Sequence, residues 1–175
     1  MTLSYKKGLN EVLPQLTKIE DPADIYRSLG VEPAITASGN TTVFGGSKLR
    51  PEIMDVMKKA SGVMVNLADL NNQAGKILAA FTDTEAGLVT GGASAGLTLQ
   101  AAACIAGNDS SRMSRLPNAQ DLNNEIIIQK SQRFPYDQCY RIAGAKLVEI
   151  GDGRRCHPWQ LEAAFTDKTA AVAYL

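Results

Sequence analysis

The sequence has no excess of charge of either sign and no long apolar run. Lysine plus arginine and aspartate plus glutamate number 18 each in 175 residues, so the formal net charge at pH 7 is zero. A neutral chain lacks the basic surface typical of nucleic-acid binders, which disfavours a nucleic-acid partner. No apolar run approaches the roughly 20 residues that cross a bilayer, and Lys6-Lys7 precedes no apolar signal-peptide core. We therefore expect a cytoplasmic protein with no membrane partner.

Cysteine and histidine are also scarce. Cys104, Cys139 and Cys156 form no Cys-x-x-Cys pair, and His157 is the only histidine. This set contains no pattern of metal ligands, so we predict no metal site. An odd cysteine count without a disulfide framework is typical of a reducing compartment. Cys104 lies in the small-residue stretch AAACIAG and is predicted to pack in the core, whereas His157 precedes Pro158 and is predicted to be structural or exposed.

Short helices and strands alternate along the chain. Apolar spacing and capping residues predict helices over 4–19, 22–29, 51–60, 66–81, 94–105, 137–143 and 158–165. Apolar runs predict strands over 86–90, 125–129, 146–150 and 170–175. Residues 35–48, rich in Gly, Ser, Thr and Asn, predict an extended functional loop, and polar residues predict a surface loop over 107–124. This order is typical of an α/β fold with a mainly parallel sheet and helices on its faces.

The most informative segment is LVTGGASAGLTLQAAACIAG, residues 88–107, in which a strand runs into Gly91-Gly92 and a helix begins at once. The first N–H groups of a helix are free and carry partial positive charge. Glycine lets an anion approach the backbone closely, and Ser94 can add a hydroxyl donor, so the turn can serve as a phosphate cradle. It matches neither a Walker A loop nor GxGxxG. The alternative is a tight turn in which the glycines serve packing alone.

Four blocks resemble one enzyme family in order and spacing: LGVEPAITASGN (29–40), the 88–107 segment, RLPNAQDLNNEIIIQK (115–130) and PYDQCYRIAGAKLVEIGD (135–152). They resemble the N-terminal half of fold-type-I pyridoxal 5'-phosphate (PLP) enzymes related to selenocysteine synthase, and above all the D-glucosaminate-6-phosphate ammonia-lyase group. The resemblance implies the three-layer, mainly parallel sheet of PLP-dependent transferases, incomplete in this chain. Residues 1–30 would form an N-terminal helical segment, and 31–175 the first half of the PLP-binding large domain.

The resemblance also implies where the cofactor lies. Gly91, Gly92, Ala93 and Ser94 would hold the PLP phosphate. Gln132 would lie against the pyridine ring, at a position where related sequences often carry histidine. The alternative is that Gln132 is only a polar residue at a strand end.

Further residues are candidates for the substrate side. The resemblance implies that Ser38, Asn40 and Thr41 line the substrate site, which a partner subunit could share because such enzymes are homo-oligomers. Arg133 has a planar fork suited to a substrate carboxylate or phosphate, although it could equally be a surface arginine. Asp137 is predicted to cap the helix that follows it rather than to contact the site.

The function that the resemblance implies is a PLP-dependent lyase that deaminates an amino acid or amino-sugar acid by α,β-elimination. One alternative is a PLP enzyme that transfers selenium or sulfur to a seryl group on tRNA, against which the zero net charge argues. Another is a truncated relative without catalytic activity. No catalytic residue is predicted within this chain, because the Schiff-base lysine and its acidic partner are expected downstream of Leu175. Likewise, strands expected outside this sequence would separate 86–90 from the other three strands.

Overall fold

The computed structural model describes residues 16–175 and divides into two compact units. The first ends at Met64, and the second runs from Val65 to Leu175. The predicted helix over 4–19 lies mostly outside the described residues. Among those described, no helix is both long enough and apolar enough to cross a membrane.

From residue 16 onward, the described part of the first unit contains two helices joined by an irregular segment. Helix α1 spans Pro22–Ser28, and helix α2 spans Pro51–Ala60. The Asp21 side chain accepts a hydrogen bond of 2.9 Å from the Ala23 N–H, which confirms the predicted cap. Between the helices, the predicted loop contains one 3-10 turn, Thr42–Phe44.

The second unit contains the remaining helices and all the strands described here. Its helices are α3 (Leu67–Thr82), α4 (Ala93–Ala106), α5 (Ser110–Met113), α6 (Gln138–Ile142) and α7 (Pro158–Ala164). Its strands are β1 (Glu125–Gln129), β2 (Lys146–Ile150) and β3 (Thr169–Ala173). Two 3-10 turns, Lys130–Gln132 and Pro135–Asp137, separate β1 from α6.

The three strands form a parallel sheet in the order β2-β1-β3. Ile127 of β1 pairs with Val148 on one side and Val172 on the other. The run Ile126–Ile128 is buried throughout, as expected for a parallel strand that is covered on both faces. Ala101 and Ile105 of α4 pack with Ile126 and with Tyr140 of α6 in the core. The α/β prediction with a parallel sheet is therefore confirmed, whereas the full three-layer sheet stays a prediction.

Two predicted elements are wrong. Residues 86–90 are extended but pair with no strand in the part of the chain that the structure describes. Within this segment, the backbone N–H and carbonyl of Val89 bond to the side chain of Asn71 on α3. The predicted loop 107–124 contains helix α5, since the Asp109 carboxylate accepts hydrogen bonds from the N–H groups of Ser111 and Arg112 at 2.8 and 3.2 Å.

The prediction that Cys104 packs in the core is also wrong. Helix α4 turns Ala101, Ile105 and Ala106 inward, which leaves Cys104 exposed on a neighbouring face. Cys104 borders a cavity of about 290 Å³ beside β3. The buried cysteine is Cys139 of α6.

Candidate functional site

The glycine turn before α4 presents unbonded backbone donors. Gly92 has φ 135° and ψ 175°, a positive-φ conformation that favours glycine. The first backbone bond of the helix runs from Gly96 N–H to Gly92 O at 3.0 Å. Among the described residues, the N–H groups of Ala93, Ser94 and Ala95 have no acceptor. The Thr90 hydroxyl donates to Gly92 O at 3.0 Å, which ties the turn to the segment before it.

The space around this turn is open. A Cβ at Gly91 or Gly92 would meet no heavy atom within 4 Å. Ser94 is exposed, and no acceptor for its hydroxyl lies in the described part of the chain. Three N–H groups and one hydroxyl are therefore free to bind an anion at the positive end of a helix.

Gln132 lies where β1 ends, and its amide pairs with the main chain after β3. Its Nε2 donates to Leu175 O at 3.2 Å, and its Oε1 accepts from Leu175 N–H at 3.1 Å. These two bonds set the orientation of the amide plane. Its predicted contact with a cofactor ring stays a prediction, and such a contact would have to use the flat face of the amide because its edge is bonded.

Arg133 binds two carboxylates. Its Nε and Nη2 donate to the two oxygens of Asp137, the latter at 3.3 Å, and its Nη1 donates to Glu149 of β2. The Asp137 side chain is only 4% exposed, whereas that of Arg133 is 28% exposed. Arg133 thus joins the segment after β1 to β2, and a substrate anion would share the guanidinium with these carboxylates. Its predicted role in substrate binding stays a prediction.

The charges in this cluster shift each other's proton affinity. The hydrogen bond from Arg133, more than its charge alone, holds the pKa of the Asp137 carboxyl below its usual range against the opposing effect of burial. Asp137 in turn raises the pKa of Arg133. Both groups are therefore charged at neutral pH, and the pair contributes to stability as an ion pair.

Asp137 does not cap α6 as predicted. It lies at the N-cap position with helical angles, φ −63° and ψ −15°, and its side chain makes no capping hydrogen bond to α6. The carboxylate turns back to Arg133 and to the Phe134 N–H, which lies 3.4 Å from Oδ2. The buried ion pair with Arg133 takes the oxygen atoms that a cap would use.

The predicted substrate residues of the first unit lie in the irregular loop. Ser38 shares a hydroxyl–hydroxyl hydrogen bond of 2.8 Å with Thr36. Thr41 O accepts from the N–H groups of Phe44 and Gly46 at 3.0 and 2.9 Å. The Thr41 hydroxyl is buried and has no partner among residues 16–175, and the exposed Asn40 amide makes no hydrogen bond within the same range. Polar groups able to bind a ligand therefore remain in this loop.

The predicted cofactor residues form two groups in the second unit: the glycine turn and the end of β1. Within the described chain, no hydrogen bond or ion pair joins the turn to Gln132 or Arg133.

Sequence reasoning missed Asn71, whose amide bonds to Val89 just before the turn. The sequence offered one signal for Asn71. It is a polar residue four positions before Gly75, so the two residues share one face of a helix that is otherwise rich in apolar residues.

Two known proteins resemble this chain in sequence. The chain is 31% identical over 156 residues to D-glucosaminate-6-phosphate ammonia lyase of Salmonella typhimurium, a match that covers 87% of this chain and 42% of that protein. It is 34% identical over 155 residues to a 5'-C-glycyluridine monooxygenase-decarboxylase of Streptomyces sp, covering 86% and 39%. No family model matches the chain.

A solved structure of D-glucosaminate-6-phosphate ammonia-lyase superposes with a TM-score of 0.81 at 31% identity, covering 85% of this chain and 41% of that one. The chain thus spans about two fifths of the length of the relatives it matches. The chain is a partial relative of the D-glucosaminate-6-phosphate ammonia lyase family, as its four sequence blocks predicted.

Proposed function

We propose that Gly91, Gly92, Ala93 and Ser94 bind the phosphate of PLP in a lyase that deaminates an amino acid or amino-sugar acid. The observation that carries this proposal is the set of three unbonded N–H groups at the start of a 14-residue helix, beside two glycines that face open space. A helix N-terminus stabilises an anion through these donors and through its dipole. The residues at the turn therefore fit a phosphate monoester.

Holding the phosphate fixes the position of the ring to which it is attached. When bound, PLP supplies an electron sink for the charge that develops as a proton leaves the substrate carbon. The turn's own part is to bind and orient, since fixed geometry removes much of the entropic cost of a reaction. Gln132 is proposed to border the ring with the face of its amide, which Leu175 orients.

On the substrate side, we propose that Ser38, Asn40 and Thr41 bind polar groups of the substrate. Arg133 is proposed to contact a substrate anion with the N–H groups that Asp137 and Glu149 leave unbonded. We also propose that the protein is a homo-oligomer. Large apolar side chains such as Leu67 and Phe81 of α3 are exposed, and oligomerisation would remove such groups from water.

The names of the two relatives support different reactions. An ammonia lyase supports elimination of ammonia, whereas a monooxygenase-decarboxylase supports an oxygen-dependent loss of carbon dioxide. With PLP and D-glucosaminate 6-phosphate, release of ammonia without oxygen uptake would favour the lyase. Oxygen uptake with release of carbon dioxide from an amino-acid substrate would favour the second reaction.

Gly91→Ala is expected to weaken binding of a PLP-type phosphate by about tenfold, because a methyl group would occupy space that the anion approaches and lose about 1.4 kcal/mol of binding. The measurement is calorimetric titration of the purified protein with pyridoxine 5'-phosphate, which has no aldehyde and forms no adducts with surface lysines. Inorganic phosphate should compete with it. The fold should tolerate the change, since a Cβ at Gly91 meets no protein atom within 4 Å.

Gly153→Ala is the matched control, because a Cβ there also meets nothing within 4 Å and neither glycine has a positive φ. Its affinity should stay within about twofold of the wild type, a change of about 0.4 kcal/mol. Saturable binding that Gly91→Ala leaves unchanged would remove the turn from the site. Wild-type protein that binds neither pyridoxine phosphate nor PLP would rule out the proposed function.

A further inference from the structure

The extended segment 86–90, which leads into the glycine turn, is held by helix α3. Asn71 Oδ1 accepts a hydrogen bond from Val89 N–H at 3.1 Å, and Asn71 Nδ2 donates to Val89 O at 3.4 Å. A neighbouring strand would supply a similar donor and acceptor. The Asn71 amide therefore supplies two bonds of the kind that this segment would otherwise make in a sheet.

A second contact holds the same segment to the same helix. Gly75 of α3 is buried, and its backbone meets that of Gly87 so closely that a Cβ at Gly75 would overlap Gly87 O. A Cβ at Gly87 would lie 2.7 Å from Gly75 O. Asn71 and Gly75 are four residues apart and share one face of α3. Helix and segment thus meet at two adjacent points, one a backbone contact and one a pair of hydrogen bonds.

We infer that Asn71 is a positioning residue for the phosphate turn. Val89 lies two residues before Gly91, and the Thr90 hydroxyl between them bonds to Gly92 O. The bonds from α3 to Val89 and from Thr90 to Gly92 therefore set where the N–H groups of residues 93–95 point. This inference rests on the proposed function, because it gives Asn71 a role in binding the same phosphate.

Asn71→Ala is expected to weaken binding of pyridoxine 5'-phosphate about fivefold to tenfold, since two hydrogen bonds of ordinary net strength no longer hold the turn in place. Hydrogen exchange followed by mass spectrometry should show faster exchange in the peptide that contains Val89. Asn72→Ala is the matched control, because it makes the same change at an exposed neighbour on the same helix. Asn72→Ala should change neither the affinity for pyridoxine 5'-phosphate nor the hydrogen exchange of the peptide that contains Val89.

A residue with only a structural role would lower the melting temperature without changing affinity measured well below it. That outcome for Asn71→Ala would overturn the inference, as would unchanged exchange at Val89. If Asn71→Ala does not fold, Asn71→Gln serves, since it keeps the amide but displaces it by one methylene group from the position that bonds to Val89. Asn71→Gln should bind pyridoxine 5'-phosphate as weakly as expected for Asn71→Ala. Wild-type affinity in this variant would contradict the inference. Failure of the wild type to bind would instead reject the proposed function.

Discussion

Gly75→Ala should destabilise the protein by about 2–3 kcal/mol, even though alanine is the better helix former by about 1 kcal/mol. The new methyl group would overlap the Gly87 carbonyl oxygen and lie 3.1 Å from its carbon. Both belong to backbone, so no side-chain rotation can relieve the overlap. Helix α3 and the segment before the glycine turn would have to separate. Urea unfolding followed by circular dichroism measures the loss.

Gly96→Ala is the control with the opposite expected sign. Gly96 also lies inside a helix of the second unit, but its Cβ would lie 3.6 Å from the Thr90 hydroxyl, an ordinary contact. Helix propensity then dominates, and stability should be unchanged or rise by up to about 1 kcal/mol. Equal free energies of unfolding for Gly75→Ala and the wild type would show that α3 and the segment do not pack as closely as described.

Asp137→Ala should cost about 2 kcal/mol of stability at pH 7, because it removes the bidentate partner of the partly buried Arg133 guanidinium, which then keeps only Glu149. The matching surface change, Asp121→Ala, breaks an exposed pair with Arg115 and should cost much less stability than Asp137→Ala, because water screens exposed ion pairs. A double-mutant cycle with Arg133→Ala isolates the coupling between Arg133 and Asp137. Coupling no larger than that of the surface pair would contradict this prediction.

The loss caused by Asp137→Ala should also depend on pH. The folded-state pKa of Asp137 lies below its ordinary value. The ion pair therefore contributes fully above the unfolded pKa of about 3.9, and its contribution is lost as the pH falls through the folded pKa. The difference in unfolding free energy between wild type and Asp137→Ala should hold from pH 7 to pH 5 and shrink below about pH 4. A difference that stays constant to pH 2 would mean that the ion pair is not its source.

Local patterns predicted strands β1 and β2 well. In 125–129 and 146–150, a charged residue is followed by a short apolar stretch, and the structure begins and ends β1 and β2 at those bounds. Pro22 and Pro51 marked the starts of α1 and α2, since proline fits the first helical turn. Each of these signals lies within a few residues of the element that it predicts.

Contacts between distant residues could not be predicted in this way. Residues 86–90 have the composition of a strand, but a strand also needs a neighbour, and the Val89 backbone bonds to the side chain of Asn71, 18 residues away. Gln132 finds its partner 43 residues along the chain. Arg133, which follows β1, donates a hydrogen bond to Glu149 of the neighbouring strand β2. These pairings depend on tertiary structure, which a single sequence does not display.

The central position of β1 has a consequence for the order in which the sheet forms. Ile127 pairs with Val148 across a short connection and with Val172 across one about twice as long. A doubling of loop length adds roughly 0.6 kcal/mol of closure entropy, so we expect β1 and β2 to pair first and β3 to join them. Pulse-labelled hydrogen exchange during refolding should then protect 146–150 before 169–173, and the reverse order would exclude this sequence of events. The Gln132–Leu175 pairing would form only with this last closure.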